Sequence, residues 1–313
     1  MEHKIYLAPL SGITDLSFRL ISRKLGAAHC FYEMVDSKAT LYGGTKNLRL
    51  LKTLKKDTPI AAQLLGAEPS VMLDAAQKLI ALTNISFLDI NAACPARKVI
   101  KKKAGAYLLK DAATLGRIVT KLASRLSVPI TVKLRTGFYK EDHKECVKVA
   151  KVCESSGAST VFVHGRTVSQ GYSGGVDYRS IKAIKVALNI PVFGSGNIFD
   201  HITAREMIDK TGCDGILVAR GALGNPWIFK EIKEYLENGK ILKAPSLSEK
   251  KKTLKEHLTL IEHYKDIGPS NKIGFMGKIA MWYLSGLYQA RSIRESISKA
   301  RSYRELVAAI NNV

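Results

Sequence analysis

The chain has 313 residues, of which 46% are hydrophobic and 24% charged. This is the make-up of an ordinary globular protein, and it excludes a low-complexity or linker-dominated chain. Its 49 Lys plus Arg against 27 Asp plus Glu give a formal charge of +22, which favours polyanionic partners such as RNA, DNA or acidic membrane. Five widely spaced cysteines without a C-x-x-C pair exclude a zinc ribbon and a disulfide framework, so a reducing cytoplasm is expected.

The N-terminus, MEHKIYLAPL, enters a strand pattern at once, without a cationic leader and signal core. Apolar runs then recur at a regular beat: IYLAPL (5–10), CFYEM (30–34), PIAAQL (59–64), FLDIN (87–91), PITVKL (129–134), TVFVHG (160–165), PVFGSG (191–196) and GILVARG (215–221). Between them lie amphipathic segments such as 69–83 and 143–157, with apolar residues three and four apart. Gly26, Gly157 and Gly212 stand where helix-ending caps belong. Strands apolar on both faces and alternating with helices form a parallel sheet covered on both sides. The expected fold class is therefore α/β, and eight such units fit a TIM (β/α)8 barrel, with an open doubly wound sheet as the alternative.

Beyond residue 242 the strand signal ends. Helical periodicity follows, with Ser246 or Ser248 as N-cap, and many lysines and arginines suit either an RNA-binding surface or a plain solvated face. We expect a barrel over 1–242 and a C-terminal α-helical bundle over 243–313. The most membrane-like run, residues 281–290, is far too short to span a bilayer. A monomer is the default expectation.

Barrel active sites lie at the C-terminal ends of the strands. Polar groups stand at nearly all of those ends here, yet no His/carboxylate cluster has metal spacing and no G-x-x-x-x-G-K-[ST] loop occurs. GSGN after the seventh strand and ARG after the eighth are small-residue turns opening onto helix N-termini, a pattern suited to phosphate. Lys133 fits a Schiff-base lysine, a partner for an anionic cofactor, or a surface lysine with a packed stem. Cys94 ends an apolar run and precedes Pro95 and a burst of charge comprising Arg97, Lys98, Lys101, Lys102 and Lys103. A buried structural thiol needs no such neighbours, so a chemical role competes with a packing role.

The segments APLSGITDLSFR, QLLGAEP, DINAACPARKVIKKKAGAYLL, VKLRTGF, VHGRT, GSGNI and ARGALGNPWIF, in this order, resemble the dihydrouridine synthases, in particular their bacterial B-type branch. The resemblance runs from residue 5 to the C-terminus. It implies a flavin-containing TIM barrel that reduces the uracil C5–C6 bond of tRNA uridines with FMN and, ultimately, NADPH. Carried over by position, Pro9, Leu10 and Ser11 would touch FMN, Gln63 and Lys133 its ring, and Ser195, Gly196, Asn197, Ala219 and Arg220 its phosphate end. His164 and Arg166 belong to the flavin-side motif, Asn91 would face the uracil, and Cys94 would donate a proton, which ordinary thiols still carry at neutral pH. The basic loop would hold RNA phosphates.

This chain departs from the family where Ala93 replaces the usual glycine of N-x-G-C-P. It departs again at Ser195-Gly196-Asn197 and Ala219-Arg220, where relatives often read N-G-D and G-R. Two other readings share the barrel: a small-molecule FMN dehydrogenase of the dihydroorotate type, and a non-catalytic RNA-binding protein.

Overall fold

The structure, a computed structural model, describes residues 4–43, 45–287 and 290–313. Residues 1–3 of the expected barrel and Tyr288 and Gln289 of the apolar run at 281–290 lie outside it. The apolar runs form nine parallel strands: β1 (Lys4–Leu7), β2 (Cys30–Phe31), β3 (Val35–Asp36), β4 (Ile60–Leu65), β5 (Leu88–Asn91), β6 (Ile130–Arg135), β7 (Thr160–His164), β8 (Val192–Ser195) and β9 (Gly215–Val218). Sheet order runs β1-β9-β8-β7-β6-β5-β4-β2, and β3 pairs with β4. Tyr6 bridges His29, and the Leu7 N–H donates to the His29 carbonyl at 2.9 Å, which closes the ring. The expected TIM barrel is the fold found.

Alternation along each strand divides two apolar layers. Phe31, Phe162, Phe193 and Leu217 point inward with Tyr6 and Phe87 and fill the barrel axis. Their neighbours Val161, Val163 and Ile216 face the surrounding helices. The aromatic plug is the floor on which the mouth of the barrel rests.

Every expected strand is present, but several stop before their predicted ends. Pro9, Leu10, Ser11, Gly196, Arg220 and Gly221 leave the sheet and become rim. The second strand departs further. Cys30 and Phe31 pair with Ile60 and Ala61, while Val35 and Asp36 pair with Leu64 and Leu65. Four steps on one side oppose three on the other, so residues 32–34 bulge, which re-aims side chains at a barrel rim. Met34 thereby faces the mouth, and Glu33 accepts the backbone N–H of Gly12 in the first rim loop. The two amphipathic segments form helices Pro69–Leu82 and His143–Ser155.

Past the barrel, four helices (Leu247–Tyr264, Pro269–Tyr283, Ala290–Lys299 and Tyr303–Asn311) bury an apolar cluster of their own around Leu258, Ile261, Ile279, Leu306 and Ile310. Ser246 caps the first through a reciprocal box with Glu249, which settles the choice against Ser248. No helix among the described residues is long and apolar enough to cross a membrane.

These helices dock on the barrel helix Leu16–Lys24. Lys265 pairs with its N-cap Asp15 at 2.7 Å, Lys24 pairs with Glu256 at 2.6 Å, and Phe18 meets the buried His257 ring at 5.7 Å. Gly224, at φ +70°, lies where an added Cβ would collide with the backbone of Trp282. Gly224→Ala should force the Pro269–Tyr283 helix outward. We expect a loss of about 1–3 kcal/mol, read as a fall of a few degrees in thermal unfolding.

Candidate active site

A cavity of about 400 Å³ opens at the C-terminal ends of the strands. Its lining includes thirteen of the residues selected from sequence: Pro9, Leu10, Ser11, Gln63, Asn91, Cys94, Lys133, His164, Ser195, Gly196, Asn197, Ala219 and Arg220. Met34 and Arg135, which sequence reading placed at strand ends without giving them a role, also line it, as do Tyr172 and Phe199, which it did not name. Arg166 does not reach the cavity. It is buried behind the rim, where Nε donates to the Ser173 carbonyl at 2.9 Å and Nη2 to Asn197 Oδ1 at 2.9 Å. Arg97, Lys98, Lys101, Lys102 and Lys103 are exposed outside it, on the loop after β5.

One chain of hydrogen bonds runs from the barrel interior to the thiol. Asp89, fully buried on β5, accepts from Thr131 Oγ1 at 2.6 Å and from Gln63 Nε2 at 2.7 Å. That fixes the Gln63 amide, whose Oε1 then accepts Asn91 Nδ2 at 2.7 Å. The Asn91 amide is fixed in turn, and its Oδ1 accepts the backbone N–H of Ala93 at 3.0 Å and of Cys94 at 2.8 Å. A carboxylate accepts only, so each amide in the relay has one permitted orientation. Cys94 is half-buried at the cavity wall, whereas the other four cysteines are buried.

Arg135 closes the same loop from the other side. Its Nε donates to the Ala93 carbonyl at 2.8 Å, and Nη1 donates to Thr167 at 2.8 Å and Gly171 at 2.9 Å. Lys133 and Arg135 are two apart on β6 and both project into the mouth, where Arg220 joins them. Among the described residues no carboxylate lines the cavity. Burial and Arg135 lower the Lys133 pKa to about 8, against an opposing pull from Asp89. Burial and four cations (Lys133, Arg135, Arg166 and Arg220) press His164 down to about 2, so its imidazole is neutral. This mouth is built for an anion.

The β8 and β9 ends supply donors for it. Among the described residues no acceptor takes the backbone N–H groups of Gly196, Asn197, Arg220 or Gly221. Asn197 holds a left-handed φ of 49°, with its side chain gripped by Arg166 and by Arg220 at 3.3 Å. Arg166 Nη1 is buried without a partner. At Gly221 a Cβ would collide with the Ile198 carbonyl. Among the described residues no group of three or more His, Cys, Asp or Glu could hold a metal ion.

The family model for dihydrouridine synthase (Dus) matches residues 6–312. The chain belongs to the dihydrouridine synthase family. It is 38% identical over 300 residues to the tRNA-dihydrouridine synthase B of Pseudomonas aeruginosa, covering 96% of this chain and 89% of that one. It is 36% identical over 299 residues to a probable tRNA-dihydrouridine synthase of Rickettsia conorii, covering 95% and 89%. Among solved structures, histamine dehydrogenase from Rhizobium sp. 4-9 shares the fold, with a TM-score of 0.59 at 12% identity over 82% of this chain and 49% of that one. The strand-end residues of this family member are thus set on a barrel shared with very distant enzymes.

Asp89 also carries a pH signature. Burial raises its pKa from 3.8 to about 6. The folded protein then holds this proton more tightly than the unfolded chain, so the carboxylate costs nothing below about pH 4 and its full penalty above about pH 6. Asp89→Asn should lack that slope. Urea unfolding at pH 4, 5, 6 and 7 should show the variant gaining stability relative to wild type up to pH 6 and then levelling off.

Proposed function

We propose that this protein reduces the C5–C6 double bond of uridines in tRNA to dihydrouridine, with FMN at the barrel mouth and NADPH as reductant. One observation carries the reading: a thiol and a cluster of cations share a single carboxylate-free cavity on a family barrel. The small-molecule reading leaves the exposed basic loop unexplained, and the non-catalytic reading leaves the half-buried thiol at the cavity wall unexplained.

The residues fit the cofactor. The free N–H groups of the β8 and β9 turns and Arg220 suit its phosphate, with Arg166 holding Asn197 from behind. Lys133 and the oriented Gln63 amide suit the anionic pyrimidine side of a reduced flavin ring. Bound there, FMN supplies the hydride for uracil C6.

The chain's own residues do the rest. Asn91 sits against the base and holds the Cys94 loop through two backbone N–H groups. Cys94 Sγ would hold the proton that C5 takes. His164, kept neutral, can donate or accept without adding charge. Arg97, Lys98 and Lys101–Lys103 contact RNA phosphates and help offset the few kcal/mol of unstacking the target. Residues 1–242 are the catalytic barrel, and 243–313 the helical RNA-binding unit. The protein works as a monomer in the cytoplasm.

Absence of dihydrouridine at a tRNA position in a deletion strain, restored by the gene and mapped by mass spectrometry, tests the whole reading. An unchanged dihydrouridine map would sink it.

Cofactor binding should follow Lys133. Its charge is lost from the free protein as pH rises through about 8, so FMN affinity of the apo-protein should fall from there upward. Lys133→Met should bind weakly and without that dependence, measured by flavin fluorescence quenching. An affinity flat across pH 7–9.5 in the wild type removes Lys133 from the ring.

Cys94→Ala should retain FMN and still be reduced by NADPH, because neither step uses the thiol proton. Single-turnover reduction of tRNA should fall by roughly 10²–10⁴-fold, and Cys94→Ser should recover little of it. Near-normal turnover in the alanine variant would assign the proton to another group.

A further inference from the structure

Three consecutive loops at the mouth each present an exposed aromatic ring: Tyr139 after β6, Tyr172 after β7 and Phe199 after β8, exposed by 69, 59 and 46%. Each ring has a cation over it. Arg220 lies 5.2 Å from the centre of Tyr172 and 5.6 Å from that of Phe199, and Lys110 lies 4.8 Å from that of Tyr139. Tyr172 and Phe199 line the cavity already described, but Tyr139 stands one loop outside it.

Tyr139 is propped rather than buried. Phe138 packs edge-on against it at 4.8 Å, Lys110 caps both rings, and Lys110 Nζ donates to Tyr139 Oη at 3.2 Å. Its loop is laced to the next: the Val168 N–H donates to Gly137 and the Ser169 N–H to Phe138, each at 3.0 Å. Arg135 then ties that second loop to the Ala93 carbonyl beside Cys94. The ring therefore has a position fixed relative to the thiol, with much of its surface in solvent.

The surroundings are basic. Lys103, Lys110 and Lys140 are exposed nearby, and Lys103 lies within electrostatic range of Asp111, next in sequence to Lys110. The acids of the same loop are engaged: Glu141 accepts from Gln170, and Asp142 caps the helix His143–Ser155.

A rigid exposed ring among cations is what an unstacked base binds, because every base has a π-face. We propose that Tyr139, backed by Lys110 and Phe138, is a stacking platform for the base of a nucleotide neighbouring the target uridine. This rests on the RNA-reducing reading above. Extruding one base strips its neighbour of a stacking partner, and Tyr139 replaces that partner.

The test uses flavin-loaded enzyme and bulk tRNA from a strain lacking dihydrouridine. Base–aromatic stacking is worth about 1–3 kcal/mol, so Tyr139→Ala should raise KM by roughly 5- to 100-fold. Tyr139→Trp should restore it, and the salt dependence of binding should stay as in wild type. By contrast, Lys101→Ala, Lys102→Ala and Lys103→Ala combined should flatten the salt slope by roughly 2–3. An unchanged KM in Tyr139→Ala, a KM that tryptophan does not restore, or a loss confined to kcat overturns the platform. If the wild type itself fails to reduce tRNA, the functional reading falls. The platform is then judged by anisotropy with a short oligouridylate, where equal affinity for wild type and Tyr139→Ala overturns it.

Discussion

Like-charge repulsion at the barrel mouth is the constraint on which the remaining structure turns. Lys133, Arg135, Arg166 and Arg220 all act on one imidazole, and among the described residues no carboxylate enters the cavity to relieve them. The scaffold holds two members of this cluster by several neutral acceptors each. Arg135 is held by three carbonyls and Arg166 by two carbonyls and an amide oxygen. Neutral acceptors fix these groups without cancelling their field. The field stays available to an anion, and by linkage any anion bound there stabilises the folded barrel.

Lys133 stands apart from the three arginines. Among the described residues no side chain or carbonyl lies within hydrogen-bond or ion-pair distance of it, and its pKa is the one brought near neutrality. The arginines are permanent and architectural, whereas the lysine is soft and adjustable. Asp89 sits below it, close enough to favour its charge yet committed by hydrogen bonds to Gln63 and Thr131. One buried carboxylate thus has two effects. It supports the lysine through space, and it sets the amide relay that ends at the Cys94 backbone.

Strand periodicity made the barrel legible, because runs such as TVFVH are apolar on both faces, as a parallel sheet covered by helices requires, and their number suits a closed barrel. Most of the cavity was legible for the same reason, since a barrel makes strand ends converge whatever their chemistry. What escaped depends on register and loop geometry. Arg135 reads as one more cation until its pairing opposite His164 brings it to the rim. Asp89 reads as a strand acid until alternation turns it inward beneath Gln63. Tyr172 and Phe199 lie on loops, where sequence spacing carries no direction. Arg166 was selected for the cavity, but its motif places it behind the β8 turn, where it acts through Asn197.

Ala93 replaces a glycine that the family signature favours, and the structure shows why the loop tolerates it. The residue does not require a left-handed backbone: among the described non-glycine residues only Lys103 and Asn197 have positive φ. Its N–H and carbonyl are both bound, to Asn91 Oδ1 and Arg135 Nε, so the methyl group is added to backbone held at each end. In this loop the glycine that resists replacement is Gly105. Its φ is +61°, and an added Cβ would lie 2.6 Å from Val99 Cγ1 and 2.9 Å from the Cys94 carbonyl. Close approach there lets the Ala106 N–H bind the Cys94 carbonyl at 3.1 Å while Val99 and Ala104 bury against Leu65. The two ends of the basic loop are pinned, one at the thiol and one at the barrel wall. Its exposed lysines are thereby carried on a loop that holds the Cys94 backbone in place.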